Sequence, residues 1–322
     1  MLTLIPLTLL GSLALFITDR YIRHSIEAGS RSQLDQLSEL IRIVPTELDS
    51  LSLSFDKDAK IKLRLKEIMT TPSFSYDQLE ALFYLLNVIE VPANSRPYIH
   101  SIYVYYENPN GRFLTSRDGI ATLASAPDRD WFDFYRQRGF GDGRPVTQLR
   151  PLKTGSFDGS AAQVISVYLP FAPGEPGRYL GLIVVNLLPA YFEKLLQQFA
   201  QWPGSYAYIA DAAGDVLAQS ASFRTAVDLP PPPADGQVRQ LRGAAEWISA
   251  KEEPRLGWNV VSVVPVKALN SLPRTIIYMT LALSLLALLL SVLYALRFTR
   301  RNYRQISHIV GVLESADRTW PE

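Results

Sequence analysis

Cysteine is absent from the 322 residues, which removes disulfides, thiolate metal sites, iron–sulfur ligation and cysteine nucleophiles together. Stability must then come from packing alone. Histidine is nearly absent: His24, His100 and His308 lie far apart in the chain, a spacing that suits neither a metal site nor a catalytic dyad. Net charge is small as well. Thirty-two Lys+Arg against 31 Asp+Glu leave +1, so there is no chain-wide attraction to nucleic acid. No G-x-S-x-G elbow or P-loop occurs; Gly155-Ser156-Phe157-Asp158-Gly159 has its serine in the wrong place and reads as a loop. Carboxylates are plentiful, but none stands in an apolar setting that would raise its pKa. These absences argue against an enzyme, and no catalytic residue, cofactor or metal ligand is assigned. What is present in quantity is apolar: 48% hydrophobic against 20% charged residues excludes a disordered chain and supports a sizeable core.

Charge is also missing from two long runs near the ends. Met1–Thr18 carries none and is closed by Asp19-Arg20; as a helix it is about 27 Å long, at the lower edge of a membrane span. A cleavable signal peptide is the alternative, but no basic segment precedes the run and no small-x-small cleavage site follows it. The missing basic start leads us to expect native residues upstream of Met1. The second run, Thr275–Leu296, is about 33 Å long as a helix, with Tyr278 and Tyr294 near its ends. Arg297, Arg300, Arg301 and Arg304 follow it, which places that flank in the cytoplasm. The expected topology is a two-pass cell-membrane protein with residues 19–273 outside. Neither run has an ionisable residue at its middle, so the spans read as anchors or signal conduits in a lipid bilayer, not a permeation path.

Between the spans the hydrophobic period changes. Ile22, Ile26, Leu34, Leu37, Ile41, Val44, Leu48, Leu51 and Phe55 recur at helical spacing, with Pro45 expected to kink the helix or start a new turn. A second helix is expected over Tyr76–Glu90. Ser101–Tyr106 and Arg112–Thr115 flank Asn108-Pro109-Asn110-Gly111 as a hairpin. A short helix (Asp128–Gln137) is followed by strands at Pro145–Arg150, Gln163–Phe171 and Tyr179–Leu188, and Pro189 opens another helix. A smaller set follows: Ser205–Asp211 and Asp215–Ser220 around a turn, an exposed loop at Pro230–Pro233, and strands at Gln237–Leu241, Ala245–Ala250 and Trp258–Pro265. The same order, a hairpin and then three strands, thus occurs twice.

This arrangement resembles the double Cache (dCache) extracellular sensor family. The run Leu256–Pro265 is similar to that family's final strand, and Tyr208–Leu217 to its membrane-proximal hairpin. The resemblance implies an α+β fold: a long N-terminal helix and two tandem PAS-like (Cache) antiparallel-sheet modules, flanked by two transmembrane helices. The corresponding divisions are a first span (1–18), a helical segment (19–75), a membrane-distal module (76–200), a membrane-proximal module (201–273), a second span (274–297) and a cytoplasmic linker helix (298–322).

The resemblance also implies where a ligand sits. Some members that bind amino acids carry an Arg-x-Trp-Tyr/Phe element on the short helix of the distal module, and Arg129-Asp130-Trp131-Phe132 is similar to it. Arg129 would clamp a carboxylate through paired hydrogen bonds while Trp131 and Phe132 wall the pocket. Where the family holds the ligand's ammonium with an aspartate on the module's last strand, this chain has Asn186, whose amide brings no charge. Tyr103 and Tyr168 are candidate wall residues. Each of these aromatic residues has core packing as its alternative, and Arg129 has a surface ion pair with Asp128 or Asp133. In the proximal module, Asp211 and Gly214 read as turn-formers.

Beyond the second span, Ile306, Ile309, Val310 and Leu313 form a helical stripe suited to a partner helix, and Arg301–Ile306 looks like the stretch that joins span to output in membrane-bound AraC-type regulators. The expected function is extracellular sensing of a small, carboxylate-bearing molecule by a homodimer. Its output is an AraC-type helix-turn-helix domain beyond this chain, and DNA is contacted only through that domain. Alternatives are the sensor of a histidine kinase or chemoreceptor and, in a different class, a membrane-tethered adhesion or assembly module without ligand.

Overall fold

The computed structural model describes residues 4–71, 73–153, 162–174, 178–200, 202–221, 238–240, 246–265, 278–279 and 281–300. The Gly155–Gly159 and Pro230–Pro233 loops, His308 and the Ile306–Leu313 stripe lie outside them. The chain divides into two compact units, residues 28–268 and residues 1–27 with 269–322. In the latter, Leu281–Arg300 (α6) is the one helix among the described residues long and apolar enough to cross a membrane, with a mean hydropathy of 2.2.

Three helices open the chain: α1 (Leu4–Lys57), α2 (Ala59–Thr70) and α3 (Tyr76–Ser95). Pro45 lies inside α1 without ending it. The break falls at Asp58, whose carboxylate accepts from the Lys60 and Ile61 amides at 2.8 and 3.2 Å and caps α2. Ser75 and Gln78 close a reciprocal capping box at the start of α3. Leu34, Leu37, Ile41, Val44, Leu48 and Phe55 of α1 are buried in the chain's own core. The apolar stripe of α1 is thus largely consumed within the chain itself, and Leu40, Ile43 and Leu53 are its exposed apolar neighbours.

The first sheet contains β1 (Ile99–Tyr106), β2 (Arg112–Thr115), β3 (Gly119–Thr122), β4 (Val146–Leu152), β5 (Ala162–Pro173) and β6 (Tyr179–Leu187), with α4 (Asp130–Arg138) between β3 and β4. Its order is β3-β2-β1-β6-β5-β4, and every pairing is antiparallel. Strand alternation sorts the side chains onto two faces. Ile102, Val104, Ile165, Val167, Ile183 and Val185 share a core with α1, α2 and α3. Tyr105, Phe113, Tyr168, Leu182 and Val184 face the other way and pack with Trp131 of α4. That second face, apolar at one end and polar at the other, positions the candidate site.

Helix α5 (Pro189–Phe199) leads to the second sheet, which comprises β7 (Tyr206–Ala210), β8 (Val216–Gln219), β9 (Val238–Gln240), β10 (Glu246–Glu253) and β11 (Trp258–Pro265). The order is β8-β7-β11-β10-β9, again antiparallel throughout. Trp258 is fully buried; its ring meets Phe192 of α5 edge-on at 5.8 Å, and its Nε1 donates to Thr147 Oγ1 of β4 at 2.9 Å. Ion pairs from Lys251 to Asp35 (2.7 Å) and from Arg255 to Asp49 (2.9 Å) fasten the second sheet to α1.

Candidate functional site

The polar end of the first sheet's second face is built from buried polar residues of four strands: Ser101 on β1, Arg150 on β4, Ser166 on β5 and Asn186 on β6. The register sets Asn186 opposite both Ser101 and Ser166. All four are buried, and so is Asp128 in the loop before α4. Arg150 Nη1 and Nη2 donate to the two carboxylate oxygens of Asp128 at 2.7 and 2.9 Å. Its Nε donates to Ser166 Oγ at 2.8 Å, and Nη2 also reaches Asn186 Oδ1 at 3.2 Å. The Ser166 hydroxyl donates to Asn186 Oδ1 at 2.6 Å, and Asn186 Nδ2 donates to Ser101 Oγ at 3.0 Å. A planar guanidinium meeting a carboxylate through two bonds is the geometry in which burying two charges is tolerated. Burial works against the Arg150 charge, but the Asp128 carboxylate outweighs it and holds the guanidinium pKa above its ordinary value.

Above this layer lies a cavity of about 540 Å³, bounded by His100, Ser101 and Tyr103 of β1, Phe113 and Thr115 of β2, the β2–β3 turn, the 125–128 loop and Leu152-Lys153. This size is typical of small-molecule sites. Tyr103 donates from its hydroxyl to Asp128 Oδ2 at 3.3 Å, and burial pushes its phenol pKa up to about 12, so it stays a donor. Arg117 is exposed at the rim, with Nε and Nη2 bonded to the His100 carbonyl at 3.1 and 3.0 Å. Burial, reinforced by the Arg117 charge and opposed in part by Asp128, lowers the His100 pKa. Lys153, also on the lining, pairs with Asp130 at 2.8 Å. Because Arg150 meets the Asp128 charge and Asp130 meets Lys153, the lining charges in no ion pair among the described residues are Arg117 and Asp118.

The six residues singled out by sequence divide between four places. Tyr103 lines the cavity. Asn186 lies in the buried layer, with its oxygen and nitrogen both engaged by protein partners. Trp131, Phe132 and Tyr168 belong to the aromatic cluster beside it: Trp131 is fully buried 5.2 Å from Phe113, Phe132 meets Tyr105 at 5.2 Å, and Tyr168 packs on Phe134 at 4.8 Å. Arg129 is exposed at the N-cap of α4 and is not on the cavity wall, because the first turn of α4 commits its buried position to Trp131. Sequence reasoning missed Arg150, Asp128, Ser166, Ser101, His100 and Arg117. For Ser166 a signal existed in the isolated polar residue of the apolar run Val164-Ile165-Ser166-Val167; Asp128 and Arg117 lie in a loop and a turn and carried none.

Neither a protein-family profile nor a curated protein sequence matches the chain. Among solved structures, it is similar to the periplasmic sensory domain of the Campylobacter jejuni chemoreceptor Tlp1, at 15% identity and a TM-score of 0.51, over 78% of this chain and 98% of that one. It also aligns with the sensory domain of the Campylobacter jejuni chemoreceptor Tlp3 with isoleucine bound (12% identity, TM-score 0.48, 79% of this chain and 98% of that one). A third alignment is with the extracellular domain of the putative histidine kinase rpHK1S-Z16 (15% identity, TM-score 0.45, 76% and 95%).

Proposed function

We propose that this chain is the sensor and membrane portion of a bacterial receptor, and that the cavity over the Arg150–Asp128 layer takes a small, carboxylate-bearing extracellular molecule. The observation that carries this reading is a cavity of about 540 Å³ whose buried Asp128 charge is met by Arg150, while Arg117 at its rim, next to Asp118 in the chain, is in no ion pair among the described residues. An arginine matches a carboxylate with two donors in one plane, so the clamp is assigned to Arg117, not Arg129. Tyr103 supplies a neutral hydroxyl beside it. The fold shared with a chemoreceptor's sensory domain supports the reading at the level of architecture.

Residues 76–200 form the distal, ligand-binding module and 201–273 the proximal one. Spans at 1–18 and 274–297 place 19–273 outside and 298–322 in the cytoplasm, and two chains associate through α1, where Leu40, Ile43 and Leu53 are exposed. The output is an AraC-type helix-turn-helix domain encoded after Glu322; a histidine kinase or chemoreceptor coil is the alternative. For signalling, ligand must favour one of two states, and a tenfold preference is worth about 1.4 kcal/mol. The test uses the full chain in nanodiscs and a panel of small carboxylic acids and amino acids, read by thermal unfolding. At least one compound should raise Tm in the parent and fail to do so in Arg117→Ala, while Arg129→Ala keeps the shift. No shift with any carboxylate, or an equal shift in Arg117→Ala, refutes the site. Sequencing the coding frame past Glu322 decides the output.

A further inference from the structure

A second cavity, of about 670 Å³, lies away from the first, where β4 faces the turn between β7 and β8. Its walls are Phe134 and Arg138 of α4, residues 145–149, the 211–216 hairpin and Leu256. Three features coincide there. The first is an open sheet edge. β4 ends the six-stranded order and pairs only with β5, from Val146 opposite Tyr168 to Leu152 opposite Ala162. Among the described residues no further backbone–backbone hydrogen bond involves 146–149. Pro145 and Pro151 bracket the open stretch, and such prolines confine pairing on an edge strand to the residues between them.

The second feature is opposed charge: Arg138 on one wall, Asp211 and Asp215 on the other. The third is a firm frame. Asp211 Oδ1 accepts from the Ala213 and Asp215 amides, both at 2.9 Å, and Trp258 Nε1 holds Thr147 at 2.9 Å. The backbone groups of an edge strand that its one neighbour leaves unbonded are what an added strand satisfies, and residues 146–149 of that edge line the cavity.

From this geometry we propose that the cleft between β4 and the β7–β8 turn binds a short extended peptide as an added strand on β4, its acidic side chain against Arg138 and its basic one against Asp211 and Asp215. The main-chain bonds supply affinity without sequence preference, and the two charged walls supply orientation. This site is independent of the small-molecule cavity, since the two share no lining residue.

The test uses the full chain in nanodiscs and two fluorescein-labelled, end-blocked pentapeptides, Glu-Val-Thr-Val-Lys and Lys-Val-Thr-Val-Glu, read by anisotropy. One order should bind in preference to the other. N-methylation of alternate amides on the edge-facing side should abolish its binding, and Arg138→Glu should weaken it about 10-fold, since it sets like charges together. A peptide with Lys in place of its Glu should recover binding to Arg138→Glu. Arg138 is exposed, so thermal unfolding of the variant should match the parent. Failure of both peptides to bind, binding that survives N-methylation, or affinity indifferent to Arg138→Glu would each overturn the proposal. So would self-association that is lost in Arg138→Glu and excludes the peptides, which would make a second copy of the chain the occupant.

Discussion

Taking Arg150 away leaves the Asp128 carboxylate buried with no cation to meet it, and breaking a buried pair from one side costs about 3–5 kcal/mol. Arg150→Met should therefore lower the unfolding free energy measured in urea by that much. Arg150→Met combined with Asp128→Leu should recover a large part of the loss, because an apolar pair of similar size restores neutrality. Equal destabilisation in the single and double variants would show that Asp128 is not the group left stranded. Size matters as much as charge at Gly181: a Cβ there would run into the ring of Phe171, which is itself buried against Phe55 at 5.7 Å. Gly181→Ala should cost about 1–3 kcal/mol by overpacking, measured in the same denaturation series. His100 adds a pH term. Burial and Arg117 hold its folded pKa below the usual 6.5 or so, so as pH falls the unfolded chain takes up the proton first. Through this group stability is full above about pH 6.5 and declines as pH drops through the lowered folded value. The Tm should fall from about pH 7 to about pH 5.5, and His100→Gln should fall less over the same window.

Elements were legible where their side chains repeat with a clean period, and obscure where they do not. The strands β1, β5, β6 and β11 alternate branched and aromatic residues, and their boundaries fall within a few positions of those read from sequence. β3 is Gly119-Ile120-Ala121-Thr122, half-exposed and too short for an alternation to register, and it was not anticipated. Pro45 looked like the break in α1, yet the competing signal, the capping carboxylate of Asp58 thirteen positions on, decides where one helix stops and the next begins. The site was legible in part. Asn186 and Tyr103 could be picked out within apolar strands, whereas Arg150 and Asp128 are 22 residues apart in sequence and meet only once the sheet has formed. Arg129 drew attention as the first residue of a motif, but its place at an N-cap turns it to solvent. Caps are testable at this scale. Ser75→Ala removes one half of the box that starts α3 and should cost about 1 kcal/mol, read as a lowered Tm. Ser75→Asp should retain stability, since an aspartate at that position accepts the same amide.

At the scale of the whole molecule, the question is whether the two sheets stand or fall together. A single core cluster runs from Leu34 and Leu48 of α1 through Ile165 and Ile183 of the first sheet and Phe192 of α5 to Trp258 and Val260 of the second. Residues 28–268 form one compact unit. Trp258 sits at the joint, fully buried, bonded to β4 and packed on α5. Trp258→Ala should cost about 3–5 kcal/mol as a large-to-small core change, with the orphaned Thr147 hydroxyl adding to it. If the sheets are one cooperative unit, that loss is shared by amides that never touch Trp258. Hydrogen exchange should show protection falling by the same factor at Ile102 and Val184 in the first sheet as at Tyr208 and Val261 in the second. A fall confined to the second sheet would mean that the modules unfold separately. The coupling bears on the proposed function: a binding event at the first sheet can bias the second only if the two share free energy. Thr147→Val keeps the packing of β4 and removes only the acceptor for the Trp258 indole, so it isolates the bond from the core. It should lower protection in both sheets by a smaller and equal factor, and a fall in one sheet alone would place the coupling in the hydrophobic contact of Trp258 with Phe192.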